Sequence, residues 1–544
     1  MPIEQVQELV AEAGAHARPL REILAELTER PHDLASLVRT SAVSRRTVEA
    51  VLAAAGEDLV ESAQGVRLRP ERVPAYRELF RYEQVRSTAL TDPLAARLAA
   101  HGDLVEEMAK LIAAAPKSRQ ALDHVSATAE TAVRRALWLD ATFDLDGANL
   151  LCVGDHDLTS LAVKRVNPAV SVTVVDLDER ILEFIDGQGL DVRCLFTDLR
   201  FGLPTAVTGW ADLLFTDPPY TPEGVRLFLA RGLSGLRDRE LGRLVMAYGF
   251  GERQPALGLK VQEAVQDLHL AYEAILPHFS RYDGAQAVGS ASDLYVCRPT
   301  ARSWKALDNP TRGSGTGPNI YTHGPQSLEG AGEALDPAAV EAMSAAAVGE
   351  RGLPLVTVAE SWHPASTGLG HVKLSTLLGS GLPTGIARRR PYGVAVDLSA
   401  DPGAWLLRAL LAVNADRVAL LVPNNHPDLA SSASQRELSE LVAGKYALRF
   451  LRNTPDSRYA LVVAELVAEP SLVLERAHGK VGNAWREALV RAGRDLPDGP
   501  LTKNQARALI QQAVPRAELL DASLLELPRH QIRLVLDGVR DCQG

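Results

Sequence analysis

Cysteine is scarce. The 544-residue chain has four, Cys152, Cys194, Cys297 and Cys542, widely scattered and without a CxxC pair. That argues against a disulfide framework and against a four-cysteine zinc site, and no metal site is expected. Long hydrophobic runs are missing too, since no stretch reaches the ~18–20 uninterrupted apolar residues that span a bilayer. The first residues, MPIEQVQELVAEAG, are acidic where a secretory leader is basic, and no apolar segment follows them. A cytoplasmic protein with no membrane partner is the expectation. An excess of positive charge is also lacking: 58 Lys and Arg stand against 68 Asp and Glu, for a net charge of −10. This is the wrong sign for a protein whose main partner is a phosphate backbone, and it loosely suits a cationic ligand. The remaining composition, 46% hydrophobic and 23% charged, is that of an ordinary globular chain.

Periodicity divides the chain into segments. Residues 1–80 predict a small winged-helix-like domain: apolar residues at helical spacing lie on both sides of a break near Ser41. Asp58–Ser62 and Gln64–Leu68 then predict a two-stranded wing turning at Gly65. Arg45 and Arg46 are the candidate DNA contacts on the second helix. However, residues 1–80 hold 10 basic and 13 acidic residues, so no electrostatic footprint supports nucleic acid. Packing or substrate capping is the preferred role. Residues 81–145 read as a helical connector. From 146 to 300, apolar runs alternate with helical stretches: Asn149–Val153, Ser171–Val175, Val192–Phe196 and Ala211–Thr216 predict parallel strands. Leu244–Ala247 and a closing antiparallel strand, Asp293–Cys297, complete a class I methyltransferase-like, Rossmann-type sheet. Residues 301–350 read as a linker containing an Ala-rich helix. Residues 351–544 predict a second α/β domain of unknown role, with strands at Gly393–Asp397, Val418–Val422, Ala447–Leu451 and Tyr459–Ala464. No repeat relating the two sheets is visible in the sequence.

The first four strands each run into an acidic turn, and ligands of open α/β sheets bind beyond the carboxyl ends of the strands. The most specific motif is Thr216-Asp217-Pro218-Pro219-Tyr220-Thr221, after the fourth strand. Asp217 can accept a hydrogen from a substrate amine while Pro218 and Pro219 stiffen the turn, so that the nitrogen lone pair is aimed at an electrophilic carbon. Tyr220 can pack on an alkyl chain or on an ammonium. The bland alternative is a turn that only ends a strand.

The first turn is Gly154-Asp155-His156-Asp157, where an S-adenosylmethionine enzyme usually has a glycine-rich loop approaching the methionine carboxylate. Two like charges ~4 Å apart repel by about 1 kcal/mol in water and about 4 at an effective dielectric near 20. Asp155 and Asp157 therefore disfavour a carboxylated co-substrate and favour one that ends in an ammonium, such as decarboxylated S-adenosylmethionine. Asp157 could instead cap the helix beginning near Leu158. Asp176 suits a ribose diol and Asp198 an adenine amino group, and either could equally be a loop residue.

GDHDLTS, VVDLDER, FTDLRFGLP, LFTDPPYTPEGVRLFLARGL and GSASDLYVCRPT together resemble the branched-chain polyamine synthase family, the N4-bis(aminopropyl)spermidine synthases. The resemblance covers roughly residues 1–300. It implies aminopropyl transfer from decarboxylated S-adenosylmethionine to an amine of a spermidine-like polyamine, releasing methylthioadenosine. It places the family's acidic turn on Asp155 and Asp157, its ribose acid on Asp176, and its amine-binding motif on Asp217, Pro218, Pro219 and Tyr220. Where the family's turn reads GDDD, this chain has His156. On this reading Asp217, Tyr220 and Asp155 are catalytic. Gly154, Asp155, Asp157, Asp176 and Asp198 bind the co-substrate, and the Asp217–Tyr220 motif binds the amine. The rival enzyme is an S-adenosylmethionine-dependent N-methyltransferase, and a third reading sends the aminopropyl group to a peptide or another specialised amine. A winged-helix regulator sensing a nucleoside or polyamine is the non-enzymatic alternative. A homodimer is compatible with all of these. In the C-terminal half, His363 and His371 make a poor metal pattern, and a non-catalytic domain serving assembly or substrate access is expected.

Overall fold

The computed structural model describes residues 1–89, 92–307, 319–323, 335–360, 368–492 and 501–542. The Gly-rich linker expected at 311–318 and His363 lie outside these residues. Two compact units divide the chain: Met1–Val172 with Ala211–Gly315, and Thr173–Trp210 with Thr316–Gly544.

In the first unit, helices Pro2–Glu12 and Arg18–Glu29 precede two helices joined by a short turn at the expected break near Ser41. Asp33 caps helix Leu34–Ser41 by accepting from the Ser36 amide at 2.7 Å, and Ala42, at φ +55°, ends it. Helix Arg45–Ala55 follows. Then come β1 (Leu59–Ser62) and β2 (Gly65–Leu68), an antiparallel pair whose turn places Ser62 opposite Gly65. Gly65 is required there, because a Cβ would stand 2.2 Å from the backbone of His32. Val6, Ile23, Leu27, Leu37, Val48 and Leu68 form the module's own core.

The parallel strands begin with β3 (Asn149–Val153). Further along the chain lie β4 (Ser171–Asp176), β5 (Val192–Phe196), β6 (Leu213–Thr216), β7 (Arg243–Tyr248), β8 (Ala271–Arg281) and β9 (Ala291–Arg298). Within the first unit the strands run in the order β3-β6-β7-β9-β8. β3, β6 and β7 are parallel, while β9 runs against both β7 and β8. The register places Val153 beside Thr216, Thr216 beside Met246, and Tyr248 opposite Asp293. Gly154, Asp217, Tyr248 and the residue after β8, Tyr282, therefore emerge at one edge. β8 is absent from the sequence expectation because its pattern of half-buried and exposed residues, Ala271–Arg281, has no apolar run.

In the second unit, β10 (Leu355–Val358), β11 (Gly370–Val372), β12 (Gly393–Asp397), β13 (Arg417–Pro423), β14 (Tyr446–Arg452) and β15 (Tyr459–Leu466) form a sheet of order β11-β10-β12-β13-β15-β14. The Ala-rich stretch is helix Pro337–Val348, whose Ala339, Met343 and Ala347 pack on Leu355, Ala395 and Ala419. The run β10-β12-β13-β15-β14 has the same order and directions as β3-β6-β7-β9-β8. Val358 pairs with Val396 as Val153 pairs with Thr216, so Glu360 takes the position of Asp155 and Asp397 that of Asp217. A repeat that the sequence hides is plain in the topology.

The same unit contains helix Glu179–Asp186, tied to its C-terminal part by a buried ion network. Glu179 accepts from Arg408 at 2.6 Å and from Arg529 at 2.8 Å, and Arg529 makes a two-point pair with Asp428 at 2.6 and 2.8 Å. Glu179→Ala leaves the buried Arg408 without its counter-charge and the half-buried Arg529 with Asp428 alone. It should lower unfolding free energy by roughly 3–5 kcal/mol in urea titration, and a change below about 1 kcal/mol would refute a structural role for the network.

Candidate active site

The DPPY turn is built by its neighbours on both sides. Thr216 Oγ1 donates to the Val153 carbonyl at 2.7 Å, tying the ends of β6 and β3 together. Thr221 caps helix Pro222–Gly235 by accepting from the Gly224 amide at 2.9 Å, and its own amide donates to the Pro219 carbonyl at 2.8 Å. Gly224 is packed so closely that a Cβ would lie 2.9 Å from Pro219. Pro218 and Pro219 are buried, and their rings fix two successive φ angles of the turn.

At its centre is a residue that no sequence motif marks. Arg135, fully buried on helix Ala129–Thr142, reaches two carboxylates with one guanidinium. Its Nη1 donates to Asp157 Oδ2 at 2.8 Å and its Nη2 to Asp217 Oδ2 at 2.6 Å. Ser280 Oγ accepts from Nε at 3.2 Å, and the Tyr282 hydroxyl accepts from Nη2 at 2.9 Å. Tyr282 in turn donates to Asp217 Oδ2 at 2.6 Å and shares a 2.8 Å hydrogen bond with Ser292. The sequence marks the helix face on which Arg135 stands but not its partners. The arginine lies at helical spacing among Ala132, Ala136 and Leu139, all fully buried, and an arginine on a buried face requires carboxylate partners. Tyr282 gave no such signal, since the strand before it was not predicted.

The two oxygens of Asp217 are thereby distinguished. Oδ2 accepts from Arg135 and Tyr282, whereas Oδ1 accepts from Tyr220 at 3.2 Å. Burial pushes the Asp217 carboxyl up to about 7, with Arg135 opposing and Asp157 adding to the rise. Asp157 moves the other way: burial works against its charge, but Arg135 and the Ala127 amide, which donates to Oδ1 at 2.8 Å, hold it below its ordinary value. Burial also raises Tyr220 and Tyr282 well above a normal phenol. The Tyr220 ring meets Tyr248 edge-on at 5.1 Å, and the buried Tyr248 hydroxyl has no hydrogen-bond partner among the described residues.

The remaining expected residues fall as follows. Gly154 sits at φ +73°, with Phe228 3.3 Å from where a Cβ would be, so glycine is favoured by conformation and by space. Asp155, not Asp157, faces the following helix, accepting from the Ser160 amide at 3.2 Å. Asp157 is committed to Arg135 and Ala127 instead. His156 stacks on His124 with centroids 4.3 Å apart, and its Nε2 lies 2.8 Å from Ser118 Oγ. Asp176 and Asp198 belong to the second unit. Asp176 Oδ1 accepts from the Asp178 amide at 2.7 Å, and Asp198 is paired with Arg200 and accepts from the Trp405 indole at 2.8 Å.

A carboxyl raised toward neutrality should leave a mark on stability. Because its folded value lies above its unfolded one, Asp217 contributes most below pH ~4, and that contribution is lost as pH rises through about 7. Asp217→Asn removes the loss, so from pH 5 to pH 8 the variant should gain on the wild type by about 2 kcal/mol in urea midpoints. Parallel pH profiles for the two proteins would show that Asp217 is not raised.

Residues 103–306 match the family model of the branched-chain polyamine synthase A C-terminal domain, a span that includes Arg135, Asp217 and Tyr282. An uncharacterised protein of Methanocaldococcus jannaschii is 33% identical over 189 residues, which are 34% of this chain and 46% of that protein. The N(4)-bis(aminopropyl)spermidine synthase of the same organism is 28% identical over 189 residues, 33% of this chain and 53% of the relative. The chain thus spans about half the length of the curated relatives it matches. Among solved structures, the branched-chain polyamine synthase from Thermus thermophilus, in complex with N4-aminopropylspermidine and 5'-methylthioadenosine, is similar at a TM-score of 0.37 and 21% identity. That likeness covers 54% of this chain and 91% of the other.

Proposed function

We propose, from the match of residues 103–306 to the family model of the branched-chain polyamine synthase A C-terminal domain, that the protein transfers an aminopropyl group from decarboxylated S-adenosylmethionine to an amine of a spermidine-like polyamine. The observation that carries this reading is Asp217. Arg135 and Tyr282 hold one of its oxygens, and the other faces Tyr220 at a carboxyl poised near neutral pH. The relatives named N(4)-bis(aminopropyl)spermidine synthase support the choice of acceptor.

An alkyl amine has a pKa near that of Lys, about 10.4, so at neutral pH it arrives mostly protonated. A carboxylate titrating near 7 can hold the ammonium and take one of its protons before attack, which frees the lone pair, and the alkylated nitrogen keeps its remaining hydrogen and the positive charge. In the proposed step the new N–C bond forms in line as the C–S bond breaks, and the sulfonium leaves as neutral methylthioadenosine. The leaving group needs no acid. Oδ1 of Asp217 receives the amine proton, since Oδ2 is already engaged. Tyr220 and Tyr248 offer an aromatic wall and a buried hydroxyl to the acceptor chain. Asp155 is the carboxylate of the first turn that would meet the co-substrate's ammonium, because Asp157 is neutralised by Arg135.

The test is a mass-spectrometric assay with spermidine and either decarboxylated or ordinary S-adenosylmethionine. Aminopropylated product with the decarboxylated form alone is expected, and methylated product with the ordinary form would establish the methyltransferase reading instead. Asp217→Asn should cut kcat by about 100-fold or more while methylthioadenosine still binds, and near-normal turnover would remove Asp217 from the mechanism. Asp155→Asn keeps the acceptor for Ser160 but loses the charge, so it should relax discrimination against the carboxylated co-substrate; unchanged selectivity would refute the role given to this turn.

A further inference from the structure

The N-terminal module grips the two loops that carry the tyrosines of the site. β7 ends at Tyr248, and four residues later Glu252 accepts from Ser44 Oγ and Thr47 Oγ1, each at 2.6 Å, and from the Ser44 amide at 3.3 Å. Ser44 is the N-cap of helix Arg45–Ala55, yet its hydroxyl makes no capping bond to its own helix. A serine cap ordinarily contributes ~1 kcal/mol. Here the hydroxyl is turned to Glu252, whose carboxylate sits at the positive end of that helix.

The second loop is held in the same way. β8 gives way to Tyr282, and the next residue, Asp283, is ion-paired with Arg39. Gln286 accepts from Arg45 at 3.0 Å. Gly289, at φ +75°, lies so close to the turn between the two helices that a Cβ would stand 2.7 Å from the Ala42 carbonyl. The Tyr282 amide donates to Ser290 at 2.9 Å and closes the loop on itself. The first turn of the second helix, which a DNA-binding helix-turn-helix presents to the major groove, is thus spent within the protein.

We propose that the winged-helix-like module is a clamp on the acceptor side of the active site. Ser44, Thr47, Arg39 and Arg45 are positioning residues: through Glu252 and the Tyr282–Ser290 loop they set Tyr248 against Tyr220 and Tyr282 against Asp217. The word acceptor rests on the aminopropyl-transfer reading, whereas the clamp rests on the contacts themselves.

The experiment compares full-length Glu252→Ala and Ser44→Ala/Thr47→Val with the wild type. KM for spermidine should rise about tenfold, while the dissociation constant of methylthioadenosine stays within about twofold and kcat at saturating spermidine falls by less than about threefold. Glu252→Gln, which keeps an oxygen for both hydroxyls, should recover most of the affinity. In parallel, amide hydrogen exchange across residues 282–290 should speed up about tenfold or more in Glu252→Ala. An unchanged KM, or equal losses in spermidine and methylthioadenosine binding, overturns the acceptor-side role. Unchanged exchange overturns the clamp. A wild type that transfers no aminopropyl group defeats the earlier reading, and the exchange measurement then decides the clamp by itself.

Discussion

The site depends on one buried guanidinium. Two carboxylates, Asp157 and Asp217, emerge from neighbouring strand ends into surroundings with little water, where their mutual repulsion and lost hydration would be prohibitive without a counter-charge. Arg135 supplies it from a third element, the helix before the first strand. A planar fork with several donors can serve both acids and two hydroxyls at once, which a lysine could not. One positive charge between two negative ones cannot keep both ionised with equal ease. The asymmetry is resolved by their surroundings: Asp157 takes a backbone amide besides Arg135 and stays low, while burial, with Asp157 adding to it, raises Asp217 against the opposing pull of Arg135 and the Tyr282 hydroxyl. Separating two adjacent carboxyls in this way suits one to a structural task and the other to the proton handling proposed for Asp217.

This division alters the meaning of the acidic first turn. Read as a string, Asp155 and Asp157 are two equal anions facing a ligand. In the fold they are different groups, one facing a helix N-terminus and the other enclosed around Arg135. The proposed selectivity for a co-substrate without a carboxylate therefore rests on Asp155, since Asp157 is paired with Arg135, which also holds Asp217.

Much of the architecture was legible because it follows from local pattern. The strands at 149, 171 and 192, the helix-turn-helix and the wing turn at Gly65 are written in apolar periodicity and in a glycine that no other residue can replace. The candidate Asp217 was legible because Asp-Pro-Pro-Tyr directly follows the apolar run that ends at Thr216, where a stiff turn presents a carboxylate beside an aromatic ring. Arg135 and Tyr282 were not, for different reasons. Arg135 reads as one of two adjacent arginines in a connector helix, and only its buried face separates it from the half-buried Arg134. Tyr282 follows a strand whose burial alternates weakly. Long-range partners leave no local trace, so the groups that tune a site are the last to be read.

The second sheet tests this view of Arg135. It repeats the strand order of the first and keeps acids at both equivalent strand ends, Glu360 and Asp397. The helix that precedes its first strand, Pro337–Val348, has no arginine or lysine, and it presents Ala339, Met343 and Ala347 to the sheet. Without a cation on that face the two acids cannot be drawn inward together, and indeed Glu360 is exposed and Asp397 half-buried. Glu360 accepts from the amide and hydroxyl of Ser375, at 3.2 Å each, rather than from an arginine. The position of Tyr220 is occupied by Ala400. Hydrophobic pattern was enough to preserve the sheet, but a working carboxylate also needs the buried charge that pays for its desolvation.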